Sequence, residues 1–191
     1  SLGRGGINDL PGGATFTGLT ILKSCTRAAS ISDRPPVATS GDSITAVLSQ
    51  DTLRSGYASL GAERRYKPVN GRLSGMTPLS YAAGVMPDLH DEQVSASIFA
   101  GHFGEEVGLL IEAGERAHAL TVAGSDSLPA QAVLYAAAQE PLVGEELYAG
   151  GAYLAAGPAH PASLHMQDVL RWVVIGLILL GAILKLVGVW P

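Results

Sequence analysis

The run VLRWVVIGLILLGAILKLVGVW at 169–190 constrains this chain more than any other stretch. Between Trp172 and Trp190 it carries a single charge, Lys185. At about 1.5 Å per residue, such a helix crosses the roughly 30 Å hydrocarbon core of a bilayer. A helix buried in a globular core would show a polar stripe every few residues, and none interrupts this run before Lys185. The sequence therefore predicts a single C-terminal transmembrane helix. The indoles of Trp172 and Trp190 fall at its two headgroup boundaries, and Arg171 and Lys185 extend toward water.

Residues 1–156 are then expected to form one α/β domain, and 157–168, with Pro158, His160, Pro161 and His165, a linker to the span. A net charge of −5 without a long run of either sign speaks against nucleic acid as a partner. The single cysteine, Cys25, excludes an internal disulfide and a multi-cysteine metal site, and it suits a domain facing the cytoplasm. Ser1-Leu2-Gly3 reads as the last residues of a strand, so the chain is expected to begin partway through a longer protein.

Along the domain, apolar spacing and breakers predict alternating helices and strands. Phe16, Leu19, Leu22, Cys25 and Ala29 recur at three and four residues and predict a helix over 14–30 with that face buried. Residues 37–39 read as a short buried strand. The helix expected over 44–60, capped by Asp42 or Ser43 and stopped at Gly61, presents Ile44, Val47, Leu48, Leu53, Tyr57 and Leu60. Residues 62–77 read as a surface connection. A short helix over 78–83 is stopped by Gly84, and Val85-Met86 begins a strand that Pro87 interrupts. Residues 93–113 read as a strongly apolar helix and 117–122 as the clearest strand. A helix over 128–138, an apolar pair at 142–143 and a helix over 144–156 complete the domain. Short apolar strands without polar alternation, separated by helices, predict a Rossmann-like α/β fold, a parallel sheet with helices on both faces.

Two predicted strand ends carry nearly the same residues, Ser40-Gly41-Asp42-Ser43 and Gly124-Ser125-Asp126-Ser127. Ligands of open parallel sheets bind beyond the carboxyl ends of the strands, where helix N-termini present free N–H groups. Asp42, Ser43, Asp126 and Ser127, with Gly3 and Gly5 of the glycine-rich turn, are thus candidate contacts for a nucleotide or phosphometabolite. Helix capping asks for the same residue types, and aspartate repels phosphate unless a metal intervenes. The glycine turn also lacks the full spacing of a dinucleotide fingerprint.

A second pattern is a doubled Gly-Glu-Glu, at 104–106 and 144–146. The later copy opens a helix, where carboxylates complement the backbone dipole. The earlier copy falls inside the helix expected over 93–113, where a glutamate needs a hydrogen-bonded partner, a metal or an interface. His102 and Glu105, three apart on one helical face, are spaced to share a metal ion beside Glu145. Alternatively Glu105, Glu106, Glu145 and Glu146, with Gly101 and Gly108 permitting close helix approach, form a contact between protomers. No nucleophile elbow or Walker loop is present and Cys25 has no base partner, so no catalytic residue and no cofactor is assigned.

The stretches SYAAGV, GHFGEEVGLLIEAG, TVAGSDSLPAQ and LVGEELYAGGAYL, followed by a terminal apolar run, resemble a bacterial family of membrane-anchored α/β proteins, a domain of unknown function. The resemblance is strongest from residue 80 onward. It implies a domain on the cytoplasmic face of the bacterial inner membrane and, in longer members, a further span and a complete first strand upstream. It implies no chemistry. Together these features lead to the expectation of a membrane-anchored scaffold or accessory subunit, with the lipid bilayer and a homo-oligomer or larger membrane complex as partners. Ligand binding at the strand ends is the alternative.

Overall fold

The computed structural model describes residues 12–29, 35–91, 94–153 and 159–186. The chain forms two compact units, Ser1–Ala156 and Gly157–Pro191. In the first, helices and strands alternate: α1 (Gly12–Ala29), β1 (Ala38–Ser40), α2 (Ser43–Ala58), β2 (Gly71–Leu73), α3 (Pro78–Asp91), β3 (Ala96–Gly101), α4 (Val107–Arg116), β4 (Leu120–Ser125), α5 (Leu128–Ala137), β5 (Glu140–Leu142) and α6 (Glu146–Tyr153). Every strand pairing among the described residues is parallel, β1 with β2 and β3, β4, β5 in that order.

Alternation along β3 feeds two apolar clusters. Phe99 joins Tyr81, Val85 and Leu89 of α3, Val107, Leu110 and Ile111 of α4, and Ala130 and Leu134 of α5. Its neighbours Ile98 and Ala100 pack instead with Ala14 and Ile21 of α1 and Leu147 of α6. Consecutive side chains of a strand point to opposite faces, so the two clusters lie on opposite sides of the sheet. The chain is a mixed α/β protein with parallel strands.

Several expectations are corrected. The helix expected over 93–113 is instead β3, a loop and α4. A strand buried on both faces is continuously apolar, and periodicity alone does not separate it from a buried helix. The strand expected at Val85-Met86 is the middle of α3, which runs through Pro87. Tyr81, Val85 and Leu89 recur every four residues on its buried face. Gly84, read as a stop, lies where α3 crosses the backbone of Ser74: a Cβ there would be 2.0 Å from the Ser74 carbonyl oxygen. The surface connection at 62–77 contains β2, too short to show a period.

The faces of α1 and α2 also differ from expectation. Phe16, Ile44, Val47 and Leu60 are exposed, and the buried positions of α2 are Thr45, Ala46, Ser49, Leu53, Gly56 and Tyr57. The two helices approach closely over small residues, with a Cβ on Gly56 falling 2.7 Å from Thr26 Cγ2.

The second unit contains helix α7 (Ala159–Leu186), so residues 159–168, expected as linker, are helical. Apolar side chains at consecutive positions of α7, Val169, Leu170, Trp172, Val173 and Val174 among them, are exposed. Among the described residues no helix is long and apolar enough to cross a membrane. The stretch 168–185 is punctuated by Asp168, Arg171 and Lys185, and 187–190, including Trp190, lie outside the described residues.

Candidate functional site

The parallel register sets Gly101 opposite Ser125. The next residue on each chain, His102 and Asp126, therefore leaves the sheet beside the other at the carboxyl ends of β3 and β4. His102 Nδ1 and Asp126 Oδ1 are 2.7 Å apart, with the imidazole 37% and the carboxylate 15% exposed. Gly101 turns the chain out of β3 at φ 148°, a conformation that favours glycine.

Ser125 holds the two loops in place. Its fully buried hydroxyl accepts from the backbone N–H of Phe103 at 3.1 Å and of Ser127 at 3.2 Å, and it donates to the Phe103 carbonyl at 3.2 Å. Its own carbonyl accepts from Gln131 Nε2 at 3.0 Å. A carboxylate on Nδ1 fixes the ring and leaves Nε2 for a ligand or a proton, the arrangement by which acid–base sites orient imidazole.

Tyr148 of α6 belongs to the same end of the sheet. Burial first, and then the charge of Asp126, raise its hydroxyl above the usual tyrosine value. Its Cε1 lies 3.6 Å from the position of a Cβ on Gly13, so the first turn of α1 arrives here as well.

Glu106 precedes α4 at the N-cap position, yet its side chain makes no capping hydrogen bond. It is 8% exposed, and its Oε1 has no hydrogen-bond partner. Across the core, the Tyr81 hydroxyl lies 3.4 Å from Thr39 Oγ1. Burial is the main reason that hydroxyl is held far above its usual range; the Thr39 bond opposes this, and the charges of Glu106 and Asp88 add to it.

The turn after β1 is built differently. Asp42 Oδ2 accepts from the Thr45 N–H at 3.0 Å and the Thr45 hydroxyl at 3.3 Å, closing the N-terminus of α2. Ser43 is the exposed first residue of α2. Ser40 is fully buried, and its Oγ has no partner. Of the candidate ligand contacts, Asp126 is thus placed in the pair and Ser127 beside it, Asp42 is engaged as a cap, and Gly3 and Gly5 lie outside the described residues.

The shared helical face of His102 and Glu105 does not exist, because β3 ends at Gly101 and His102 turns to Asp126. Among the described residues no group of three or more His, Cys, Asp or Glu side chains is placed to hold a metal ion, with or without Glu145. Both Gly-Glu-Glu copies stand at helix starts, Glu105-Glu106 before α4 and Glu145-Glu146 at α6. Glu146 Oε2 accepts from the Val143 N–H at 3.4 Å, a local cap. Of the expected interface residues, Gly101 and Glu106 are buried within the unit. Gly108 admits α5, since a Cβ there would be 3.1 Å from Val133 Cγ1. Glu105, Glu145 and Glu146 remain at the surface.

Tyr148 and Tyr81 carry no motif, and Ser125, though part of the repeated strand-end pattern, was not among the candidate contacts; the roles of all three escaped the sequence. The signal for the His102–Asp126 pair was the register: once β3 is recognised as parallel to β4, the residue following each strand must meet its counterpart. No curated protein and no solved structure matches the chain. Residues 4–190 match the family described as Domain of unknown function (DUF6754), nearly the whole chain, and the protein belongs to that family.

Proposed function

We propose that the first unit, Rossmann-like with helices on both faces of its sheet, is a small-ligand binding module. Its ligand seats at the carboxyl ends of β3 and β4, and α7 anchors the module to a membrane. The carrying observation is the His102–Asp126 pair held between two strand-end loops by the buried Ser125 hydroxyl. Rigid, hydrogen-bonded side chains beyond the strand ends are what binding sites of open parallel sheets are made of. A thermal-shift screen of nucleotides, with and without magnesium, tests the site. A ligand at a hundred times its Kd stabilises by about 2.7 kcal/mol, and H102A should abolish the response. Absence of a response to nucleotides and to organic amines alike contradicts the proposal.

The anchor reading is supported by the exposed apolar side chains along α7, which water would not leave uncovered over such a length. The implied setting is a bacterial inner membrane with the first unit on the cytoplasmic side. The chain should stay in the pellet when membranes are washed with alkaline carbonate. Release into the supernatant contradicts it.

A second reading, self-association or docking on a larger membrane complex, is favoured by α5. This helix contains no charged residue and exposes Leu128 and Tyr135 at 76% and 79%. Light scattering in detergent should then show a defined oligomer that L128D with Y135D dissolves. A monomer at micromolar concentration contradicts this reading.

A further inference from the structure

The strand-end crevice is acidic. Asp126 pairs with His102, and Glu105 and Glu106 follow His102 on the loop that leads into α4, so bare phosphate would meet more repulsion than attraction there. Glu106 is the most informative of these groups. It is more than nine-tenths buried, Oε1 has no partner, and the N-cap position it occupies draws no capping bond from its side chain. Its Oε2 falls 2.5 Å from where a Cβ on Gly104 would stand, so the carboxylate folds back over the loop that joins His102 to α4. A buried carboxylate oxygen without a donor is costly to a fold. Ionised, it only accepts hydrogen bonds, so what completes it must donate. A second buried atom without a partner, Ser40 Oγ, also lies at a strand's carboxyl end.

Resting on the strand-end reading above, we propose that the ligand carries an organic amine whose ammonium group donates to Glu106 Oε1. Asp126 and Glu105 supply further negative potential. A divalent cation is the poorer fit, since among the described residues no three metal-ligating side chains converge. An ammonium group needs only one carboxylate.

The test uses the full chain in detergent with agmatine and putrescine as probes, MgCl₂ alone as a comparison, and the isosteric variant E106Q. Without ligand E106Q should melt no lower than the wild type, because Oε1 accepts no hydrogen bond that the substitution could break. An amine should raise the wild-type Tm by roughly 5 to 10 °C at a hundredfold excess over Kd and leave E106Q unmoved. Independently of any variant, agmatine should shift the amide resonances of Phe103 and Val107 in the wild type. The proposal falls if E106Q melts lower than the wild type without ligand, if amines move both proteins alike, or if MgCl₂ alone gives the response. Should nucleotides but not amines stabilise the wild type, with the response lost in H102A, the crevice stands and the amine class is wrong. If nothing stabilises it, both readings fall.

Discussion

The turns Ser40-Gly41-Asp42-Ser43 and Gly124-Ser125-Asp126-Ser127 are almost the same sequence at the ends of two βα units, but they are offset by one residue and do opposite things: Asp42 is the N-cap of α2, whereas Asp126 follows β4 directly and stands one residue before the N-cap of α5, Ser127. In the first, aspartate bends forward to cap its own helix and the serine hydroxyl makes no bond. In the second, the serine hydroxyl joins two loops and the aspartate is free of capping duty, so it reaches across to His102. The position relative to the helix start and the neighbouring strand together decide the difference. Beyond Ser125 the parallel register supplies β3 and its exit loop, whereas β1 ends opposite Leu73 of β2, whose exit leads to a surface stretch with no imidazole to meet. A local sequence fixes what a turn can donate and accept, and the adjacent strand selects which of those options is used.

The largest effect should come from removing the two serine hydroxyls in turn. S125A leaves the buried Phe103 N–H without its acceptor and should cost about 2 kcal/mol. S40A removes a hydroxyl that makes no bond and should be neutral or slightly stabilising. Equal losses in urea unfolding would erase the distinction. Next, D42A removes a cap and should cost about 1 kcal/mol, with D42N retaining most of the stability. Smallest in stability is D126A, below about 1 kcal/mol because the pair is partly solvated. In that variant the His102 ring should nevertheless change its nitrogen resonances, while in D42A it should not.

Much of this was legible in the residues. The alternation of helices and strands, the cap at Asp42, and the parallel strands follow from breakers and from apolar runs without polar alternation. What escaped was β3. With Phe99 and Ala100 buried on opposite faces and Ile98 partly buried, its pattern mimics a helix, and that one misreading placed His102 and Glu105 on a shared face and hid the Asp126 contact. The register of a parallel pair is set by long-range packing, so no window around Asp126 contains it. Likewise nothing near Gly108 or Gly84 says which backbone or side chain will cross there.

The most direct test of the account compares ligand-induced melting shifts in D126N and D42N, using any compound that stabilises the wild type. D42N should start from a lower Tm and respond as the wild type does, while D126N should start near the wild-type Tm and lose the response. A full response in D126N, or an equal loss in both, would show that the second turn is no more a binding element than the first.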